Sequence, residues 1–248
     1  MKSSPLAALV KLACLCLCVL LGLAAAAAAG GAGVVLLHGK TGMPGQHAKL
    51  AAALKAAGFL VATPKLCWSK DRIFDKVYAD CLGEVDAAIG RLKAAGATGI
   101  VVGGTSQGAV AAIDYGAVHA GLAGIIALSP AADPVELGKY PEFRAAIDQA
   151  RALQQAGRGA AVTRLDDLVS GGKVIQVTAT PAAYLSFHDP AVPIATMKNL
   201  TALDLPRLQA PLLWVAGTRD PAQGSAAKSF QAAPANKLSR YVTVEATH

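Results

Sequence analysis

Past residue 30, short apolar runs alternate with stretches in which apolar residues recur every three or four positions. Runs this short and unbroken suit strands buried on both faces, and parallel strands of that kind need helices to carry the chain back between them. The pattern predicts strands at Val34–Leu37, Leu60–Thr63, Ile100–Gly103, Ile125–Leu128, Leu212–Ala216 and Tyr241–Val244. Helices are predicted at His47–Ala57, Asp75–Ala95 and Gln107–Ala120, the first two stopping at Gly58 and Gly96. The expected architecture is α/β, a mostly parallel central sheet with helices on both faces. At 248 residues the chain suits one domain with a sizeable core. The regular order breaks at Pro130, and residues 131–210 are too long for a plain connection. That stretch carries a helical pattern at Pro141–Gly157, one strand candidate at Val174–Thr178 and a proline-containing segment around His188. It reads as a cap-like insertion over one edge of the sheet.

The first 29 residues stand apart. Lys2 and Lys11 precede an apolar run from Leu12 to Leu23, and alanines follow from Ala24 to Ala29. This is the layout of a cleavable signal peptide, which leaves residues 30–248 as a domain in the periplasm or outside the cell. A retained anchor is the alternative, and this segment is the only expected tie to a membrane. Cys14, Cys16 and Cys18 leave with the signal, so Cys67 and Cys81 remain. An even count in an oxidising compartment suits a bridge. Free thiols stay open as the other reading, because Cys81 shares an apolar helix face with Val77, Val85 and Leu92. The formal charge is +7, two units of it from Lys2 and Lys11. The basic residues are scattered without a run or stripe, which argues against a nucleic-acid partner.

Two segments carry chemistry. Leu36 to Gly42 reads Leu-Leu-His-Gly-Lys-Thr-Gly, which suggests a phosphate-binding loop at Gly39-Lys40-Thr41. Such a loop needs a glycine at the position held by Val34, and Gly33 is one place too early to supply the turn. The other segment, Gly104-Thr105-Ser106-Gln107-Gly108, sits between a predicted strand and a predicted helix. This is where a G-x-S-x-G elbow belongs, with its serine held exposed on a strained turn and its glycines leaving room for neighbouring backbone. A serine hydroxyl needs a base, and the base an orienting acid. Asp220 follows the penultimate strand and His248 the last one, giving the chain order Ser106, Asp220, His248.

With these motifs the chain resembles the α/β-hydrolase superfamily, in a reduced form without the first two strands. The resemblance covers everything after the signal segment, although residues 131–210 match only as a generic cap. It implies a serine hydrolase that cleaves carboxylic ester or related acyl bonds in a small-molecule substrate, without a cofactor. Ser106 would be the nucleophile, Asp220 the acid and His248 the base. The backbone N–H groups of Lys40 and Gln107 would form the oxyanion hole, with His38 and Gly39 shaping the first loop and Gly104 and Gly108 the elbow. The Lys40 side chain is expected in solvent. Asp133 is the fallback acid. His188 is the rival base, expected instead to line the pocket or cap a turn, while His47 and His119 are expected away from the strand ends. No His/Cys/Asp cluster has zinc-ligand spacing. A catalytically silent binding module and an acyltransferase using the same triad remain as alternatives, and the sequence gives no sign of an oligomeric state. Relatives continue past the histidine into a helix, so a longer natural chain is expected, and a base at the chain's last residue is expected to be held less firmly.

Overall fold

Val34, Val35, Leu36 and Leu37 are at most 1% exposed, and alternate residues of this strand enter different cores. Val34 and Leu36 pack with Ala51, Leu54, Val101 and Leu213, whereas Val35 and Leu37 pack with Val85, Ile89, Val102 and Ile113. The period-two alternation of side chains thus puts one core on each face of the sheet. Each buried aliphatic side chain contributes about 1.5–3 kcal/mol.

The computed structural model describes residues 31–131, 138–169, 172–189, 191 and 205–248. The strands are β1 (Gly33–Leu37), β2 (Leu60–Ala62), β3 (Ile100–Ser106), β4 (Gly124–Pro130), β5 (Thr163–Val169), β6 (Lys173–Ala179), β7 (Leu212–Gly217) and β8 (Arg240–Val244). Among the described residues the main sheet has six strands in the order β2-β1-β3-β4-β7-β8, and every pairing is parallel. Helix α1 (Ala48–Ala56) covers one face, while α2 (Tyr78–Ala94) and α3 (Gln107–Val118) cover the other. Gly58 and Gly96 end the first two with φ of 89° and 94°, the left-handed conformation that favours glycine. Helix α2 starts later than the predicted Asp75 because Val77, which precedes it, is extended with φ −65° and ψ 149°. No described helix is long and apolar enough to cross a membrane.

The chain runs outward from β1 to β2 and then returns to place β3 on the other side of β1. The connections after β1 and β3 therefore diverge, leaving a crevice at their carboxyl ends, where α/β sheets gather ligands.

The insertion holds more structure than its sequence pattern suggests. It contains α4 (Pro141–Gln155), the antiparallel hairpin β5–β6 and α5 (Pro181–His188). The predicted strand at Val174–Thr178 thus has a partner, hidden in the sequence because Arg164, Asp166 and Asp167 interrupt its apolar pattern. Thr180 caps α5 by accepting the Ala183 N–H. The Ser186 hydroxyl accepts the Tyr78 N–H at 2.9 Å, and Phe187 packs between Phe74 and Tyr78 with ring centroids 4.5 and 5.1 Å away. These contacts seat the insertion on the loop that follows β2, the edge strand. In that loop Cys67 is joined to Cys81 of α2 by a disulfide, with Cα atoms 5.8 Å apart.

Candidate active site

Ser106 ends β3 and precedes the first residue of α3, with φ 55° and ψ −119°. A side chain pays a steric cost there, and such strain persists only where the surroundings impose it. The surroundings here are backbone. A Cβ on Gly108 would lie 2.1 Å from the Leu37 oxygen, and one on Gly104 would lie 2.5 Å from Gly108 carbonyl atoms. Both positions therefore need glycine for α3 to start this close to β1.

Asp220 and His248 arrive from the turns after β7 and β8. The Thr218 N–H donates to the Val244 oxygen at 2.9 Å, and the Arg219 N–H donates to the Ala246 oxygen at 3.0 Å. Gly217 permits this approach, since a Cβ on it would meet the Ala246 oxygen at 2.5 Å. The two turns place His248 Nδ1 2.8 Å from Asp220 Oδ2, and His248 Nε2 2.9 Å from Ser106 Oγ. With Nδ1 protonated toward the carboxylate, Nε2 is free to accept the serine proton. The Asp220 carboxylate is fully buried, while the His248 side chain keeps 21% of its exposure. The carboxylate is thus shielded while the imidazole stays partly open to solvent. Asp133 lies outside the described residues.

The loop after β1 is fixed from below. The buried His38 ring donates from Nδ1 to the Gly39 oxygen and accepts the Leu66 N–H at Nε2, 3.1 Å away. Burial, only partly offset by the Gly39 carbonyl, lowers its pKa and keeps it neutral, as this double role requires. Trp68 Nε1 donates to the His38 oxygen, and the Thr41 N–H donates to the Trp68 oxygen. The Gly39 N–H is taken by Gln46 Oε1 at 2.8 Å. Between these occupied donors, the Lys40 N–H has no acceptor among the described residues. The Gln107 N–H, at the first position of α3, likewise lies beyond the helix's own hydrogen bonding.

Three expectations about side chains fail. Lys40 is not in solvent: its side chain is 11% exposed, and its ammonium donates to Asp167 Oδ1 at 2.8 Å, Asp167 Oδ2 at 3.1 Å and the Leu168 oxygen at 3.1 Å. The partner lies 127 residues away in β5, beyond the reach of any local pattern. Burial raises the Asp167 pKa, but the Lys40 charge and His188 more than offset it and hold the carboxyl below the usual carboxylate range. His188 does not face an open pocket: it is the last residue of α5 and is 1% exposed. It is buried among Phe74, Phe143 and Tyr184, with Nε2 3.5 Å from Asp167 Oδ1, and burial lowers its pKa. His47 is not away from the strand ends, because its Nε2 donates to the Leu37 oxygen at the close of β1. His119 is remote, stacked on Tyr115 at the far end of α3.

Sequence reasoning missed Asp167, Gln46 and Trp68. The Asp166-Asp167 pair inside an otherwise apolar run was the available signal for the first; the other two carried none. A cavity of about 360 Å³ lined by Asp86, Ile100, Tyr115 and His119 opens at the amino end of β3. It lies at the opposite end of the strand from Ser106. Among the described residues, no group of three or more His, Cys, Asp or Glu side chains is placed to hold a metal ion.

The sequence matches the alpha/beta hydrolase family over residues 34–248. The chain belongs to that family. Comparison with curated proteins finds no match. Among solved structures, this alpha/beta hydrolase is similar to one described with LipS and LipT, two metagenome-derived lipolytic enzymes. That pair has a TM-score of 0.61 and 20% identity, covering 88% of this chain and 84% of the other. The monoacylglycerol lipase of Paleococcus ferrophilus gives 0.58 and 22%, covering 89% and 87%. A thioesterase domain from the curacin biosynthetic pathway gives 0.53 and 15%, covering 88% and 85%. At these identities the likeness shows the fold, while membership of the family supports a hydrolase.

Proposed function

We propose that this alpha/beta hydrolase is an exported serine hydrolase that cleaves carboxylic ester or related acyl bonds through an acyl-enzyme on Ser106. The observation that carries the reading is the unbroken relay from Asp220 through His248 to Ser106, with contacts of 2.8 and 2.9 Å. Ser106 Oγ attacks the substrate carbonyl as His248 Nε2 takes its proton, and buried Asp220 stabilises the resulting imidazolium. The Lys40 and Gln107 N–H groups receive the oxyanion of the tetrahedral intermediate, each contributing about 3–4 kcal/mol to the barrier reduction. His248 then protonates the leaving group. Water, deprotonated by the same ring, attacks the acyl-enzyme and releases the acid. Export is supported by the pattern of residues 1–29 and by the Cys67–Cys81 bridge, of a kind common in oxidising compartments and rare in the cytosol.

The test is fluorophosphonate labelling of the purified protein, followed by a hydrolysis screen of p-nitrophenyl esters from acetate to palmitate. Wild type should label on Ser106 and turn over at least one ester, and Ser106→Ala should do neither. Hydrolysis by Ser106→Ala near the wild-type rate would remove Ser106 from the mechanism. A wild-type protein inert to both probes would leave the fold as a binding module.

A further inference from the structure

The Lys40 side chain reaches into the insertion, where its ammonium spends all three protons on β5: two on the Asp167 carboxylate and one on the Leu168 oxygen. Asp167 is fully buried, and its Oδ1 also accepts the Leu168 N–H at 2.7 Å. The carboxylate is therefore fixed to its own strand as well as to the lysine. The backbone at this point is also hydrogen-bonded: the Gly39 oxygen accepts from His38 Nδ1 and from the Gly42 N–H, both at 2.9 Å, and the Lys40 oxygen accepts the Thr41 hydroxyl at 2.7 Å. The next residue, Thr41, is in the left-handed conformation with φ 56°, and Gly39 places no side chain before Lys40. Tethers from the sheet side reach Gly39 and Thr41, and the Lys40 side chain adds one from the insertion. The loop that carries the Lys40 N–H is thus held from the insertion as well as from the sheet.

We infer that Asp167 is a positioning residue for the oxyanion hole, donated by the insertion, which steadies the loop bearing the Lys40 N–H by holding the Lys40 side chain. The inference rests on the serine-hydrolase reading of the preceding subsection. It gives the hairpin β5–β6 a part in the reaction without contact to the substrate. Displacement of the Lys40 peptide weakens a contact made most strongly in the transition state, so it lowers kcat while leaving KM nearly unchanged.

The experiment compares wild type, Asp167→Asn, Lys40→Met and the double variant Lys40→Met/Asp167→Leu on the best ester from the screen. Fluorophosphonate titration counts active sites, and circular dichroism reports folding. Because Asp167→Asn leaves a buried ammonium without its partner and destabilises the hairpin, the double variant, which removes both charges at similar volume, gives a second route to the answer. The folded variants should each show kcat per titrated site lowered about 10- to 100-fold with KM within about twofold. The double variant should be no worse than the weaker single one, since both members act through one link. The inference is overturned if folded variants keep wild-type kcat per titrated site, if the two losses multiply, or if no variant folds, since the pair would then serve the fold alone. An inert wild type would instead overturn the serine-hydrolase reading.

Discussion

Acid should weaken this fold well before its carboxylates titrate, because three histidines are buried and held neutral. His38, His47 and His188 are all at most 5% exposed, and burial lowers the pKa of each. His38 faces His47 and Arg72, which add to the lowering, and Glu84, which opposes it; the Leu37 oxygen opposes it at His47. At His188, Asp167 opposes and Lys40 assists. A group whose folded value lies below its unfolded one binds fewer protons when folded. The stability this represents is complete above the ordinary histidine value of 6.5 and is withdrawn as the pH falls toward the folded values. One unit below 6.5, each ring that stays neutral in the fold and protonates on unfolding costs about 1.4 kcal/mol. The three together withdraw at most about 4 kcal/mol, a large part of the roughly 5–15 kcal/mol that holds a domain folded. Urea denaturation at about pH 7.5 and about pH 5.5, with the disulfide intact, should show the midpoint falling by about 1–2 M. His188→Leu, which keeps the ring-lined site apolar, should reduce that dependence by about a third. A midpoint that holds steady or rises across this interval would refute the reasoning, and an undiminished dependence in His188→Leu would remove His188 from it.

Gly108→Ala brings a methyl group to 2.1 Å from the Leu37 oxygen and should cost at least about 3 kcal/mol by urea denaturation; a loss under about 1 kcal/mol would show that α3 can shift. Reducing the Cys67–Cys81 bridge, which spans a separation of 14 residues, should lower stability by about 3 kcal/mol. Mass spectrometry of the non-reduced protein should find neither thiol alkylatable. Gly217→Ala pushes the turn carrying His248 away from the Ala246 contact and should reduce kcat about 100-fold; unchanged kcat would mean that the turn relaxes without moving the base.

What could be read from the sequence follows how far each signal reaches along the chain. β1 and β7 are buried on both faces, so their apolar runs announced them to within a residue. The elbow was legible because its geometry depends on glycines two positions either side of Ser106. β5 was hidden because charged residues break its apolar run: Asp167 looks like a surface residue until Lys40 is brought to it by the fold. The same reason defeated the reading of Lys40, since a solvated lysine and one buried against a carboxylate are identical letters in a sequence. His188 misled for a related cause, as its proline-flanked setting suggested a loop while its ring is enclosed by side chains from three separate segments.

The backbone bonds from Thr218 to Val244 and from Arg219 to Ala246 make the turns bearing Asp220 and His248 a single mechanical part. No side chain takes part in that coupling, so substitutions at residues 218, 219, 245 and 246 that spare the backbone path can accumulate without separating Asp220 from His248. What remains adjustable is the seating of this part against the elbow, across the 2.9 Å between His248 and Ser106. Grafting the pair into another scaffold would accordingly require both turns together, with Gly217 as the hinge that lets them nest; moving either residue alone would transfer its chemistry without its alignment.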